Sequence, residues 1–295
     1  MWGLIRLLSY SFATEATELT AANQQSATEE LAYIEKIEQF ALQEFDANQR
    51  LSHFVQARQY FNFEDAPALL LDPQVTTYDL TGAPDYVLSS SQANYLNSGE
   101  VKFQGRVDIR SANGMTHQMQ TDELLVNSQT NDLIGHKPVT YLGTGATMYS
   151  EGMHMRTQED TMKLTGKTRI DQDNGQKILT RDLHIDQSNN QQRYYAEHDT
   201  TYLSEHNTID AGGIDMDAQQ QILQLLGEAK ITQDSGSVIN TKNLIIDQSK
   251  GQELYHTKDK IHYLSEVADI KALGMDYDAQ AQKIKLTGGV SGKYE

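Results

Sequence analysis

A tandem repeat of 61 residues constrains what this chain can fold into more than any other feature. Three markers recur at that spacing. They are Tyr141-Leu142 with Tyr202-Leu203 and Tyr263-Leu264; Gly152 with Gly213 and Gly274; and Leu164-Thr165-Gly166 with Leu225-Leu226-Gly227 and Leu286-Thr287-Gly288. Self-similarity at a fixed period is typical of stacked units, each of which buries its apolar face against its neighbours.

A strand with a central glycine is predicted in every unit, and one more repeat length back from Gly166 adds Gly105 to the series. Apolar residues stand at alternate positions around these glycines, and most of the residues between them are polar. A period of two predicts a strand with one apolar face and one wet face. The glycine falls on the apolar face, where it lets a backbone or ligand approach closely or bends the strand.

Further strand-like runs lie between turn-forming segments such as 186–190 and 247–251. The pattern predicts about four short strands per unit and roughly sixteen in all, which is an all-β count. If each unit gives two strands to each of two facing walls, four units would span roughly 40 Å.

Composition narrows the function. The chain has 24 basic and 41 acidic residues and a net charge of −17, which opposes binding to nucleic acid because phosphates need Lys and Arg patches. It contains no cysteine, so disulfides, cysteine metal sites and a cysteine nucleophile are excluded. We expect no cofactor and no metal.

The N-terminal region leaves two questions open. Met1 to Ala13 is mostly apolar, with Arg6 inside it, and is shorter than the about 20 residues that cross a bilayer. It is either an ordinary N-terminus or a reduced membrane anchor or secretion signal. Residues 14–28 read as a polar linker, and residues 29–40 as either a short helix or the lead-in to a first strand.

Several motifs in the first half of the chain resemble the LptC family. The most specific are L-x-P-x-V-x-x-Y at Leu71 to Tyr78 and E-G-M-x-M-R at Glu151 to Arg156. The resemblance covers about residues 38–172. The L-x-G strands are less specific, because LptA and the N-terminal part of LptD share them.

The resemblance implies an elongated β-jellyroll, in which two facing antiparallel sheets form a V-shaped trough. It implies transport of lipopolysaccharide from the inner to the outer membrane, with the acyl chains of lipid A held in the apolar trough, and no enzymatic activity. The implied location is the periplasm, attached to or associated with the inner membrane. Because jellyrolls join edge to edge, the implied partners are the transporter subunits LptF and LptG, the ATPase LptB indirectly, and LptA.

The resemblance, together with the repeat pattern, predicts two sets of important residues, one that lines the trough and one that shapes the backbone. The predicted trough lining is Val101, Phe103, Val107, Met162, Leu164, Leu223, Leu225, Ile284 and Leu286. The predicted structural glycines are Gly105, Gly152, Gly166, Gly213, Gly227, Gly274 and Gly288.

The chain departs from the family pattern at both ends. We expect three parts: 1–37 as a short apolar N-terminus and linker, 38–172 as an LptC-like jellyroll, and 173–295 as two additional repeat units that continue it. The family's transmembrane helix is missing or reduced to residues 1–13. The extra units suggest a longer bridge that does work done elsewhere by one LptA copy. Because the chain ends directly after a glycine strand, its last edge is suited to pairing with a partner or, end to end, with a second copy.

Other interpretations remain open at this point. The apolar faces could form only a packed sandwich core, and the chain could be a free periplasmic LptA-like bridge. The repeated Tyr141, Tyr202 and Tyr263 fit rim or core aromatics better than headgroup contacts. A more distant alternative is a β-helix-like carbohydrate-active enzyme.

The carboxylate pairs Asp215/Asp217 and Asp276/Asp278 would be the catalytic candidates, or Ca²⁺ ligands. Catalytic groups are rarely repeated in every unit, and turn aspartates explain them more simply. His184, His198 and His206 have no metal-ligand spacing.

Overall fold

The computed structural model describes residues 33–294 except 47, 80, 97, 113–117, 128–129, 131 and 144. This part of the chain forms 25 β-strands and three short 3₁₀ turns. The strands of the first half are β1 Tyr33–Phe45, β2 Leu51–Phe63, β3 Ala68–Leu71, β4 Gln74–Tyr78, β5 Pro84–Ser89, β6 Gln92–Tyr95, β7 Glu100–Ser111, β8 Gln118–Asn127, β9 Asp132–Gly135, β10 Val139–Gly143, β11 Ala146–Ser150, β12 Gly152–Arg156 and β13 Thr161–Gln172.

The second half continues in the same manner. Its strands are β14 Lys177–Asp186, β15 Arg193–Ala196, β16 Thr200–Leu203, β17 Asn207–Asp217, β18 Ile222–Gln233, β19 Val238–Asp247, β20 Leu254–Thr257, β21 Ile261–Leu264, β22 Ala268–Ala272, β23 Gly274–Asp278, β24 Lys283–Thr287 and β25 Ser291–Tyr294. The 3₁₀ turns are Thr157–Glu159, Ser188–Asn190 and Ser249–Gly251.

The strands form two facing walls, and every strand pairing is antiparallel. The first wall runs through β2, β3, β6, β7, β8, β9, β12, β13, β14, β15, β17, β18, β19, β20, β23 and β24. The second runs through β2, β4, β5, β7, β8, β10, β11, β13, β14, β16, β17, β18, β19, β21, β22 and β25. The all-β, repeat-built jellyroll predicted from the sequence is confirmed.

The long strands belong to both walls because each bends near its middle, and in β7, β13 and β18 the bend lies at a central glycine. In β18 the register with β19 shifts between Leu225 and Glu228, and Gly227 between them has φ +72°. This is a β-bulge that needs a left-handed backbone, which glycine adopts without steric cost. Opposite it, Asn243 also has a positive φ of 46° and accepts a hydrogen bond from the Gly227 N–H at 3.2 Å.

The same bend recurs at the equivalent glycines, so the bends form a line along which the two walls join. Gly105 and Gly166 have φ of +74° and +75°, and Gly288 between β24 and β25 has +71°. Gly105 and Gly227 are exposed and Gly166 is half-buried, so the prediction that these glycines lie on the apolar face was wrong. The bulge moves them out of the alternation and turns the strand from one wall into the other.

Each repeat adds four strands to each wall, twice the number predicted. One repeat contributes β13, β14, β15 and β17 to the first wall before β18 begins the next. At about 4.8 Å per strand, a repeat advances roughly 19 Å, so four repeats span roughly 77 Å rather than 40 Å. The length estimated from the sequence was too small, because each long strand belongs to both walls and that estimate assigned it to only one.

The two questions about the N-terminal region have different outcomes. The segment that could have begun as a helix or a strand is a strand from Tyr33 onward. Residues 1–13, the candidate anchor, lie outside the described residues. In the part of the chain that the structure describes, no helix has the length and apolar character needed to cross a membrane.

Candidate functional site

The space between the walls is the candidate site, and the predicted lining residues point into it. Phe103, Val107, Met162, Leu164, Leu223 and Leu225 belong to one continuous buried cluster. Val101, Ile284 and Leu286 are partly buried and pack against that cluster. Leu164, Leu223 and Leu225 are 0% exposed, so in this conformation the middle of the interior is filled by side chains.

The interior is less filled at the N-terminal end. Val55 lies directly opposite Val75 and Leu42 lies opposite Val55, and residues paired in this way share one face of a sheet. Val75 packs on the core cluster, so all three face inward, and yet Leu42 is 38% exposed. Because Val55 and Val75 are only half-buried, this end presents an accessible apolar surface.

The C-terminal end is also less covered. Ile284 and Leu286 in β24 pair with Tyr277 and Met275, which are both buried, so the pairs face inward. Ile284 and Leu286 themselves remain only half-buried, because among the described residues no strand pairs with the outer edge of β24. Apolar groups thus extend along the interior to both ends of the described chain.

A second set of glycines lets neighbouring strands of the first wall approach closely. A Cβ built on Gly213 would lie 2.5 Å from the carbonyl oxygen of Ala196. The equivalent contact is 2.7 Å from Gly152 to Gly135 and 3.1 Å from Gly274 to Thr257. These carbonyls are themselves one repeat apart, so each unit uses one glycine for the same close backbone approach.

Opposite the line of bends, the rims of the walls meet along a seam of polar side chains. We use "the seam" for Tyr141, Gln172, Gln176, Gln187, Tyr202, Gln248 and Glu253. The Gln248 amide donates to the Tyr202 hydroxyl at 3.1 Å, and the Gln248 and Gln172 amides bond each other at 3.2 Å. The first wall supplies Gln248 and the second supplies Tyr202 and Gln172, so these bonds close the trough.

A buried carboxylate completes this part of the seam. Glu253 is 6% exposed and accepts hydrogen bonds from the Tyr202 hydroxyl at 3.1 Å and the Tyr255 hydroxyl at 2.5 Å. The Gln176 amide donates to its other oxygen at 3.3 Å. A buried carboxylate needs such donors, because an unpaired one is costly to remove from water.

The seam follows the repeat. Gln187 donates to the Tyr141 hydroxyl at 3.1 Å, and this pair lies 61 residues before Gln248 and Tyr202. The preceding aspartate aims each glutamine inward, because its carboxylate caps the turn: Asp247 accepts from the Ser249 N–H at 2.8 Å, as Asp186 does from Ser188. The repeated Asp-Gln-Ser turn therefore places one glutamine per unit at the rim.

The seam residues Tyr141 and Tyr202, and Tyr255 beside Glu253, keep their hydroxyl protons. Burial raises the pKa of Tyr141, Tyr202 and Tyr255 well above the ordinary value, and for the last two the neighbouring Glu253 charge adds to the effect. They therefore remain neutral hydrogen-bonding groups at every physiological pH. Tyr141 and Tyr202 are thus buried core aromatics that reach the seam with their hydroxyls.

The carboxylates considered for catalysis have local partners. Asp215 pairs with Arg193 at 2.7 Å, and Asp276 contacts His256 at 2.5 Å. Asp217 accepts from the backbone of the following turn at 3.0 Å, and Asp278 does the same at 2.8 Å. Within residues 33–294, apart from the gaps given above, no group of three or more potential metal ligands is present.

Sequence reasoning did not identify the seam glutamines or Glu253. Both Asp-Gln-Ser segments were recognised as turns, but glutamine in a turn is ordinarily a surface residue. The recurrence of Gln187 as Gln248 at the repeat spacing, together with Tyr141 and Tyr202, was the available signal.

These features define an elongated two-walled β-jellyroll with an apolar interior, a line of glycine bends on one side and a polar seam on the other. The chain belongs to the LptC-related family: the family model described as "Lipopolysaccharide-assembly, LptC-related" matches residues 4–172 and 215–295. The second range falls in the C-terminal repeats. A search of curated proteins found no match.

Membership gives the general role. LptC-related proteins are periplasmic, inner-membrane-associated components of lipopolysaccharide transport and are not known as enzymes. The chain therefore has a role in lipopolysaccharide transport and assembly, together with other parts of that machinery.

Proposed function

We propose that this protein is a bridge component that carries lipopolysaccharide across the periplasm from the inner toward the outer membrane. In this proposal the acyl chains of lipid A travel between the two walls and pass on toward LptA. The observation that supports it best is the apolar strip, which extends between the walls from Val75 through Leu225 to Leu286.

The energetics favour such a path. Exposing acyl chains to water costs about 0.8 kcal/mol per CH₂, so a lipid with several chains faces tens of kcal/mol on leaving the membrane. A continuous apolar interior removes most of this barrier at every step. Side chains such as Leu, Ile, Val and Met make no hydrogen-bond demands, so they hold the chains without binding them at one fixed position.

The predicted lining residues are proposed to contact the acyl chains. Half-buried positions such as Val101, Ile284 and Leu286 would be reached first. Fully buried Leu164 and Leu225 would be reached only when the walls separate, because their surroundings are occupied by other side chains.

The ends of the jellyroll are proposed to dock onto other jellyrolls. β1 pairs only with β2, and β24 and β25 only with β23 and β22, so within the described residues the outer edges of β1, β24 and β25 carry no strand partner. Unpaired edges accept an additional strand. We propose that the N-terminal edge receives lipid from LptF and LptG, which LptB powers, and that the C-terminal edge delivers it toward LptA.

The two C-terminal units are proposed to lengthen this bridge. They repeat the walls, bends and lining of the earlier unit, and residues 215–295 match the family separately. At roughly 19 Å per repeat they would add roughly 38 Å of covered path. End-to-end self-association through the same edges is a further element of this proposal.

Photo-crosslinking tests the proposal. A diazirine amino acid close in size to leucine is placed singly at Leu164, Leu225 or Leu286, with Lys163 and Lys285 as outward-facing controls on the same strands. Each variant is incubated in membranes with the complete transporter and ATP.

Lipopolysaccharide crosslinks at the three leucines and none at the two lysines are expected. Equal labelling of the inward and outward positions, or no labelling at any of them, would refute transport between the walls.

A further inference from the structure

We infer that the seam is a gate, which opens along its length to admit lipid and whose side chains then bond the hydroxyl and amide groups at the junction of sugar and acyl chains. This inference rests on the proposed function and specifies where the lipid enters and what recognises its polar part. It makes Tyr202, Gln248 and Glu253 a headgroup-junction subsite rather than structural polar residues alone.

The first step is steric. Leu223, Leu225 and Leu244 are 0% exposed, so no acyl chain fits among them in the closed state. A lipid with a sugar head also cannot thread a closed tube, because the head is polar and bulky. Acyl chains inside and sugars outside require a slit that runs the whole length of the path.

The second step identifies the side that opens. At the line of bends the walls are joined covalently, because β7, β13 and β18 pass from one wall into the other at their glycines. At the seam the walls are joined by side chains, such as the Gln248–Tyr202 and Gln248–Gln172 bonds. The walls can therefore separate at the seam while the bends act as the hinge.

The third step concerns the chemistry of the rims after opening. The exposed groups would be phenol hydroxyls, carboxamides and one carboxylate, which bond hydroxyl and amide groups. The Glu253 carboxylate and the lack of a basic residue among the seam residues disfavour a phosphate group at this place. Two fully buried groups near the seam also lack a partner for a polar atom: the Tyr194 hydroxyl and the Asn207 amide nitrogen. Tyr194 is 2% and Asn207 3% exposed, so opening would supply both with hydrogen-bond partners.

The absence of cysteine from the chain allows the gate to be locked specifically. Gln172→Cys and Gln248→Cys, joined by a short bismaleimide, tie the two rims together where their side chains already touch. Thr201→Cys with Asp210→Cys is the matched control. These two residues are hydrogen-bonded neighbours within the second wall, so joining them does not tie the two rims together. Diazirine residues at Leu70, near the accessible N-terminal end, and at Leu225 report lipid in each half.

Crosslinks to lipopolysaccharide at both leucines are expected in the parent protein and in the locked control. The effect of the lock is measured against the same Gln172→Cys/Gln248→Cys protein before the bismaleimide is added. Locking the seam should leave the Leu70 signal and lower the Leu225 signal at least tenfold. An unchanged Leu225 signal in the locked seam would overturn the gate and leave the proposed function standing. A signal at Leu70 alone in the parent protein, with no lock present, would likewise overturn the gate. The absence of both signals in the parent protein would refute the proposed function itself.

A second variant tests the gate without crosslinker. Gln172→Leu removes the contact between the Gln172 and Gln248 amides across the rims, keeps a similar side-chain volume, and leaves Tyr202, Gln248 and Glu253 in place. We expect the rate of lipid labelling at Leu225 to rise roughly three- to tenfold, the range that one net hydrogen bond supplies. A rate that stays the same or falls, in a variant with unchanged folding, would contradict the gate.

Discussion

Replacing Gly213 by alanine should destabilise the jellyroll at one defined place. The added Cβ would lie 2.5 Å from the Ala196 carbonyl and 3.4 Å from the Glu197 Cα, and backbone atoms cannot rotate away as a side chain can. β15 and β17, which pair at Ala196 and Ile214, must therefore move apart. Overpacking of this kind costs about 1–3 kcal/mol, while alanine gains about 0.4–1 kcal/mol from a stiffer unfolded chain, so a net loss of about 1–2 kcal/mol is expected.

The neighbouring glycine provides a matched control. A Cβ on Gly212 meets only the Leu226 carbonyl, at 3.3 Å, and the residue is exposed. Gly212→Ala should therefore stay within about 0.5 kcal/mol of the parent protein. Gly274→Ala, whose backbone contact is 3.1 Å, should fall between the two.

Hydrogen exchange is the most direct assay. Because repeat units unfold partly independently, amide protection in β15 and β17 should fall in Gly213→Ala while protection in β7 and β8 is retained. The urea midpoint gives the accompanying free energy. A Gly213→Ala protein as stable as Gly212→Ala, with intact protection at Ala196 and Ile214, would refute the close-approach argument.

Three further outcomes follow from other parts of the structure. Leu225→Ala should cost about 2–5 kcal/mol in urea unfolding, because a fully buried leucine leaves a cavity; an effect below that of Leu226→Ala, a partly exposed neighbour, would contradict the burial. Asn243→Ala should be less stable than Asn243→Gly by about 1 kcal/mol, because both lose the bond to Gly227 but only alanine is strained at φ +46°; equal stabilities would argue against the bulge. The hydroxyl and N–H of Ser249 lower the pKa of Asp247, so the stability that Asp247 contributes is present above about pH 4 and is lost as pH falls through the lowered pKa. Asp247→Asn should therefore weaken the dependence of stability on pH in this range. A stability–pH curve parallel to that of the parent protein would show that Asp247 makes no such contribution.

The repeat and the strands were predictable because their signals are local. Alternation at Leu223 and Leu225 shows which side chains share a face, and the spacing of Gly166 and Gly227 shows that the units are equivalent. The same alternation does not say which sheet each half of a strand joins. The crossing of a strand from one wall to the other depends on positive φ values at both Gly227 and Asn243. In the sequence, only the glycine indicates such a backbone conformation.

The closed seam could not be predicted from residue types. Glutamine and glutamate usually remain exposed to water. Gln248 and Glu253 are buried because the rim of the opposite wall lies at the same level along the jellyroll and covers them. The relative position of the two rims is set by the twist and stagger of both walls, because Gln248 contacts Gln172 from the preceding repeat. Such long-range registration leaves no mark within any one unit.

The line of glycine bends has a consequence for how proteins of this architecture change length. Every strand pairs with strands nearby in the chain, and each repeat begins and ends on the same kind of strand pair, β13 with β14 and then β18 with β19. A duplication or deletion of 61 residues therefore restores the same edge and the same hinge. Tandem duplication of the repeat would lengthen the molecule in steps of roughly 19 Å and would need no new kind of strand junction. The number of repeats could therefore match the distance between two membranes.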